Sequence, residues 1–318
     1  MANDTKYEFA VVIPCYNAAP YLGRALDSVF AQTYRSFYTF VIDDGSTDDP
    51  AAVLRPYGDR IFSIRRPHAG QASARNQGIR LSNSPYVAFL DADDEWLPTK
   101  LERQIEVLHR DPRIGLVYSD CFNNADDNTK GSHFARVGTP GSGRVFEHFL
   151  NRCGVFTPTA VVRRECFNHV GLFNEALPVG EDYNLWLRIA AGWDVAVIPE
   201  VLAIRHVTPG SLSQTTSLDR ALSTVITAFE DVMQACPELK PDQRRALRRA
   251  IAKRYYGYGS HLLEKGERRL SREQILQAMR YGLQDWRPIA KLALGFLPYR
   301  AYARLPKIKD PVDNGSKR

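Results

Sequence analysis

The stretch FAVVIPCYN, residues 9–17, decides the fold. Phe9 to Ile13 form an unbroken apolar run that stops at Pro14, the pattern of a short strand buried on both faces. The next segment changes period. From Tyr21 to Phe30, Leu22, Ala25, Leu26 and Val29 fall on one face of a helix. A second strand is predicted over Tyr38–Ile42, cut off by Asp43-Asp44-Gly45-Ser46, and a third over Arg60–Ile64. A helix over Ala72–Leu81 and a strand over Tyr86–Leu90, stopping at Asp91, continue the alternation. Repeated β-α-β order predicts an α/β fold with a mainly parallel central sheet flanked by helices.

Further along, Thr99-Lys-Leu-Glu102 has the spacing of a capping box ahead of a stripe of Leu101, Ile105 and Leu108. Gly115–Ser119 reads as a strand, and the polar, turn-rich segment 123–143 as a hairpin or mobile loop. Val161 and Val162 sit in a strand, Glu181–Ala191 forms a helix, and Asp194–Ile198 and Val201–Arg205 form strands. From Leu218 onward the pattern is helical, with a second capping box at Ser271-Arg-Glu-Gln274. The expected division is 1–110, 111–214 and a basic helical C-terminal appendage, 215–318.

The chain has 318 residues and five cysteines, an odd number with no C-x-x-C pair, which favours neither a disulfide framework nor a zinc knuckle. The first residues, MANDTKYEF, lack the basic and apolar regions of a signal peptide, and no run of about 18 apolar residues suggests a spanning helix. A cytoplasmic protein is expected. Charge is unevenly placed. Lys240 to Arg318 holds 20 Lys and Arg against 7 Asp and Glu, a net +13, whereas residues 1–239 hold 22 against 29, a net −7. Ile289 to Lys309 interleaves apolar and aromatic residues with Lys291, Arg300, Arg304, Lys307 and Lys309, interrupted by Pro298. Such a segment suits either the anionic inner face of a membrane or packing on the catalytic domain with its basic face solvated. Nucleic acid is not expected as a partner, because no zinc-finger spacing or RNA-binding motif is present.

Three polar clusters follow strands: Pro14-Cys-Tyr-Asn17, Asp43-Asp44-Gly45-Ser46 and Asp91-Ala-Asp93-Asp94. Open α/β sheets bind ligands at the carboxyl ends of their strands, which points to one shared site. There is no G-x-G-x-x-G after the first strand and no P-loop, so dinucleotide and P-loop chemistry lose their main support. Three carboxylates within four positions repel one another unless a cation is bound, and Mg²⁺ or Mn²⁺ takes such oxygens together with phosphates. Glu181-Asp182 opens a helix, where the N-terminal dipole favours an ionised carboxylate able to accept a proton.

The segments VVIPCYN, VIDDGSTDD, HAGQASARNQGI, VAFLDADDEW and GEDYNLWLRIA occur in that order. Together they resemble the family 2 glycosyltransferases with the GT-A fold, over about Phe9 to Ser213. The resemblance implies a nucleotide-diphospho-sugar transferase fold, with residues 1–110 binding the nucleotide-sugar donor and 111–214 the acceptor. It implies that Pro14 and Tyr16 hold base and ribose, that Asp43 and Asp44 read the base, with Asp44 favoured, and that Arg75 faces the diphosphate. Asp91 then contacts ribose or the metal shell, Asp93 binds Mn²⁺ or Mg²⁺, and Asp94 assists. His206 is a candidate third metal ligand, and His68 a weaker one. Asp182 matches the catalytic base, with Glu181 orienting a neighbour. Asn17, Asn76, Gly78, Trp186 and Arg188 are assigned to turns and packing.

The implied reaction is inverting transfer from a nucleotide-sugar, with UDP the expected nucleotide. The acceptor would be a hydroxyl of a glycan or polyprenyl-linked glycan. A sugar-phosphate nucleotidyltransferase is the first alternative, although PCYNAAPYL lacks the Gly-rich basic loop usual there. A non-catalytic carbohydrate- or membrane-binding scaffold is the second, against which the carboxylates at Asp91, Asp93 and Asp182 argue.

Overall fold

In the computed structural model, residues 6–123, 131–208 and 215–283 are described here. Strand β1 (Phe9–Cys15) is inaccessible from Phe9 to Ile13, as an uninterrupted apolar run requires. Its side chains alternate between two layers. Phe9, Val11 and Ile13 join Leu22, Ala25, Leu26 and Val29 of helix α1 (Ala19–Phe30) in the larger core cluster. Ala10 points the other way, into a smaller cluster with Phe40, Ile42 and Ala74.

Strand β2 (Phe37–Asp43) is followed by the short helix α2 (Pro50–Leu54), and then come strand β3 (Ile61–Arg65), helix α3 (Gln71–Leu81) and strand β4 (Tyr86–Phe89). β1 pairs in parallel with both β2 and β4, and β2 with β3. Three strands therefore deliver their carboxyl ends, and the polar clusters behind them, to one sheet edge. Helix α3 lies unusually close to β1, because a Cβ on Gly78 would sit 2.4 Å from Val12 Cγ1.

After α3 and β4 the order continues with β5 (Glu95–Trp96), helix α4 (Lys100–Arg110), strand β6 (Ile114–Asn123), helices α5 (His133–Val137) and α6 (Phe146–Asn151), and strand β7 (Ala160–Arg163). Helices α7 (Arg164–Val170) and α8 (Glu181–Gly192) precede strand β8 (Asp194–Arg205). Among the described residues the eight strands form one sheet in the order β3-β2-β1-β4-β7-β6-β8-β5. β6 and β8 run parallel, while β7 is antiparallel to both β4 and β6, and β5 to β8. The mainly parallel sheet holds, and it joins residues before and after position 110 in one layer.

Local expectations fail in four places. Thr99 does not cap α4: its backbone is near-helical (φ −95°, ψ 4°), whereas a capping side chain needs an extended residue. Glu102 instead accepts from Thr33 Oγ1 at 2.7 Å. Segment 123–143 contains helix α5, although residues 124–130 lie outside the described set. The two strands expected at 194–205 are one, with irregular register against β6 around Ser119 and Asp120. Ser271, finally, is not a cap, for reasons that belong to the second unit.

By contact the chain divides into two compact units, 1–215 with 235–237, and 216–234 with 238–318. The second unit carries helices α9 (Leu218–Ala235), α10 (Pro241–Glu264) and α11 (Arg268–Arg280). α11 starts three residues before Ser271, which is buried and donates its hydroxyl to the Gly259 carbonyl of α10 at 2.6 Å. Tyr255 and Tyr281 both donate to Glu230 Oε1, at 2.8 and 2.7 Å. Among the described residues no helix is long and apolar enough to cross a membrane. The basic segment Ile289–Lys309 lies outside the described residues.

Candidate active site

Where β1 ends, Asn17 adopts φ 51°, a left-handed conformation that Asn tolerates better than most residues. The turn is held by the loop after β2: Asn17 N donates to Ser46 Oγ at 3.0 Å, and Asn17 Oδ1 accepts from Thr47 N at 2.7 Å. Pro14 lies half-buried just before, and Tyr16 projects from the turn 47% exposed. One face of the Tyr16 ring stacks on His68 at 4.2 Å between centroids.

The two acids after β2 do different work. Asp43 Oδ1 accepts from Ser46 N at 2.9 Å and closes the turn. Asp44, expected to read a base, is only 2% exposed. Its carboxylate accepts from Gly70 N at 2.7 Å and Ala69 N at 3.1 Å, and pairs with Arg66 Nε at 3.1 Å and His68 Nδ1 at 2.9 Å. In this conformation Asp44 organises the 66–70 loop that leads into α3, because its oxygens are already committed. An open depression of about 500 Å³ borders that loop, lined among others by Arg66, His68, Gln77 and Arg80.

Arg75 on α3 is 2% exposed and joins two distant acids. Nη2 donates to Asp91 Oδ1 and Nη1 to Glu181 Oε1, both at 2.7 Å. With Glu181 it forms a buried pair and not a surface one. Burial works against its charge, and the charges of Asp91 and Glu181 outweigh burial, holding the guanidinium firmly protonated. Asn76, one position on, binds Phe173 through both its amide nitrogen and its carbonyl oxygen, at 2.9 and 3.0 Å, and so clamps α3 to the segment before α8.

The acidic turn 91–94 closes on itself through Asp94 N to Asp91 O at 3.0 Å. Asp93 Oδ2 accepts from Thr208 Oγ1 at 2.7 Å, and the Asp93 carbonyl from Arg24 Nη2 at 2.8 Å. Asp94 is buried and accepts from His206 N at 2.8 Å. Burial, and then the charge of Asp91, push the Asp93 carboxyl above the usual carboxylate range. Burial, followed by the charges of Asp91 and Asp93, pushes Asp94 up well above it. Burial and mutual crowding thus favour the protonated forms of these two carboxyls. The His206 ring Nε2 lies 2.6 Å from Oε1 of Glu95, the residue that follows the turn. Among the described residues no group of three or more His, Cys, Asp or Glu is arranged to hold a metal ion. In this conformation the His206 ring is paired with Glu95.

Gly180 precedes α8 at φ 77°, in the left-handed region that favours glycine. Glu181 then faces inward to Arg75, 2% exposed. Burial and the neighbouring Asp182 charge outweigh the pull of Arg75 and push its carboxyl up to about 7. Asp182 is half-buried: Oδ1 accepts from Tyr183 N at 2.7 Å and Oδ2 from Thr157 Oγ1 at 3.3 Å. Trp186 is inaccessible in the core, and Arg188 is spent on Asn184 and the Val170 and Leu172 carbonyls, so both are structural.

Arg75 therefore draws together the turn after β4 and the start of α8. Thr208, Arg24 and Thr157 carry no motif that singles them out in the sequence, yet each grips one of the acids. His68 had a weak signal, and the structure pairs it with Asp44 and stacks it on Tyr16.

The family model described as Glycosyl transferase family 2 matches residues 10–171. An uncharacterised glycosyltransferase of Rickettsia typhi is 30% identical over 202 residues, covering 61% of this chain and 62% of that protein. The first five relatives, all from Rickettsia, are matched over only 27 to 62% of their own length. An Escherichia coli UDP-Glc:alpha-D-GlcNAc-diphosphoundecaprenol beta-1,3-glucosyltransferase is 29% identical over 194 residues, 60% of this chain and 73% of that one. Among solved structures, S. aureus TarS 1–349 aligns with TM-score 0.65 and 15% identity, over 97% of this chain and 89% of that chain. A mannosyltransferase from Pyrobaculum calidifontis, in complex with GDP-Man and Mn²⁺, aligns with TM-score 0.61 and 20% identity, over 93% and 82%. These likenesses show the GT-A fold.

Proposed function

The chain belongs to glycosyl transferase family 2, and from that premise we propose that it is an inverting glycosyltransferase acting on a nucleotide-sugar donor. The observation that carries the proposal is the Arg75 bridge: one guanidinium, 2.7 Å from both Asp91 and Glu181, links the acidic turn to the residue beside Asp182. One guanidinium thus connects the turn proposed to hold the donor with the residue that precedes the proposed base.

In this reading Pro14 and the exposed Tyr16 hold base and ribose, with Asp43 and Asp44 fixing the loops around them. Arg75 lends positive charge to the diphosphate side while keeping Asp91 in place. Asp93 and Asp91 fit a divalent cation, since their crowding is the kind that Mn²⁺ or Mg²⁺ relieves, and such ions complete their shell with phosphate and water. When bound, the metal would stabilise negative charge on the departing nucleoside diphosphate. Asp182 takes the proton of the acceptor hydroxyl, whose oxygen attacks the anomeric carbon from the face opposite the leaving group. Glu181 holds Arg75 and sets the local charge. A single displacement inverts the anomeric configuration and needs no nucleophilic Ser or Cys.

UDP is the favoured nucleotide, in line with the E. coli relative's UDP-Glc, while the mannosyltransferase neighbour holds GDP-Man and Mn²⁺. The same relative acts on a diphosphoundecaprenol-linked sugar, which supports a lipid-linked glycan acceptor and a working position at the inner membrane face.

Calorimetry with UDP or GDP and Mn²⁺, combined with nucleoside diphosphate release from UDP-Glc, UDP-GlcNAc and GDP-Man, tests the proposal. Asp93→Ala should abolish Mn²⁺-dependent nucleotide binding. Asp182→Asn should bind nucleotide as the wild type does and lose transfer. Undiminished turnover by Asp182→Asn removes Asp182 as base, and release of pyrophosphate instead of nucleoside diphosphate would favour a nucleotidyltransferase.

A further inference from the structure

Asp182 does not stand alone at the head of α8. Oδ1 is taken by Tyr183 N at 2.7 Å, which leaves Oδ2 as the oxygen available for proton transfer. The Thr157 hydroxyl reaches Oδ2, at 3.3 Å. Thr157 is buried and sits in the single helical turn Thr157–Thr159 before β7, 25 residues from Asp182 in sequence.

That turn is pinned from beneath. Trp96 Nε1 donates to the Pro158 carbonyl at 2.8 Å, and Gln104 Nε2 to the Thr159 carbonyl at 2.8 Å. Thr159 N and Oγ1 both donate to the Phe156 carbonyl, at 2.9 and 2.7 Å. Lys100 ties the two anchors together, with Nζ 4.2 Å over the Trp96 ring and donating to Gln104 Oε1 at 2.6 Å. Trp96 lies two residues beyond the acidic turn, so the element that ends the donor side also fixes the turn bearing Thr157.

We propose that Thr157 is a positioning residue for the transfer step: from a turn whose Pro158 and Thr159 carbonyls are held by Trp96 and Gln104, its hydroxyl orients Asp182 Oδ2 so that a free lone pair faces the acceptor hydroxyl. This rests on Asp182 being the base. A carboxylate held by a backbone amide on one oxygen alone can still rotate the other away. A second donor on Oδ2 fixes the plane of the group, and a misaligned base costs rate without weakening ground-state binding.

The test uses the full chain with whichever of UDP-Glc, UDP-GlcNAc and GDP-Man it turns over. Thr157→Val keeps the shape of the side chain and removes the hydroxyl, and Thr157→Ser keeps the hydroxyl. The valine variant should lose about tenfold or more in kcat, with the donor KM and the affinity for the corresponding nucleoside diphosphate within about twofold of wild type, and the serine variant should recover most of the rate. Thr157→Ala, read the same way, covers the case in which valine fails to fold. Wild-type kcat in the valine or alanine variant overturns the proposal, as does a serine variant as slow as valine, or a rate loss matched by an equal loss of nucleotide affinity. Asp182→Asn run alongside separates the two ideas. If it retains turnover, the base assignment has failed; if it is inactive while Thr157→Val is not, only the positioning role has.

Discussion

Arg75 Nη1 donates to Glu181 Oε1 at 2.7 Å across 106 positions of sequence, and both side chains are almost wholly buried. The bond ties α3 to the start of α8, and its companion bond to Asp91 ties both to the acidic turn. Removing the guanidinium leaves one buried and one partly buried carboxylate without their cation. Truncating one partner of a buried pair typically costs about 3–5 kcal/mol. Arg75→Met should therefore lower stability by about that amount in urea unfolding. Arg75→Lys should recover only part of it, since one ammonium does not reproduce the planar fork that reaches both acids.

Glu181 gives the pair a pH signature. Its carboxyl is pushed up to about 7, first by burial and then by Asp182, whereas in the unfolded chain it has the ordinary glutamate value. Between those values the folded state holds the extra proton, so this contribution is complete below the unfolded value and is lost as pH rises through about 7. Glu181→Gln, which keeps an acceptor for Arg75 but cannot ionise, should flatten that slope. Relative to wild type it should gain about 2 kcal/mol between pH 5 and pH 8, read from urea midpoints at each pH. A constant difference across the range would show that Glu181 does not titrate there.

The strands and acidic clusters were legible in the sequence because they rest on local patterns. An apolar run ended by Pro14, or three acids after Tyr86–Leu90, means much the same wherever the chain goes. Strand order was not legible. Nothing local in Ala160–Arg163 says that β7 inserts antiparallel between β4 and β6. Capping spacings misled at Thr99 and Ser271, since spacing cannot reveal whether the first residue is extended at a helix start or already within the helix. The partners of the acids were hidden for the same reason. Thr208 reaches Asp93 across 115 positions, and His206 meets Glu95 across 111, so the sheet and not the motif decides which side chain arrives.

Gly78 sets how near α3, and with it Arg75, lies to β1. An added Cβ would stand 2.4 Å from Val12 Cγ1 and 3.0 Å from Val12 Cγ2, closer than packed atoms tolerate. Val12 is inaccessible in a central strand and has no room to yield. Gly78→Ala should cost about 1–3 kcal/mol through overpacking, despite the better helix propensity of alanine. Gly78→Ala combined with Val12→Ala should recover part of that loss, and additive losses in the double variant would place the strain elsewhere.

Lys100 is fully buried against Trp96 and Gln104, which hold the Thr157–Thr159 turn, and burial alone drives its ammonium well below the usual lysine range. Its Nζ has the Gln104 carbonyl oxygen and the Trp96 face for company. Between the lowered folded value and the ordinary one, the unfolded chain binds a proton that the folded chain gives up, so stability rises with pH across that window. Lys100→Met fills much of the same volume with no charge to desolvate. It should raise the urea midpoint at pH 7, and the gain should shrink toward pH 10, where the lysine is increasingly neutral in the unfolded chain too. The substitution should nonetheless slow transfer, because Gln104 loses its clasp and with it part of the hold on Thr159. A variant that is more stable at neutral pH yet slower in kcat, with nucleotide affinity intact, is the expected outcome. A stabilised variant of wild-type rate would mean that Trp96 alone suffices to hold the turn.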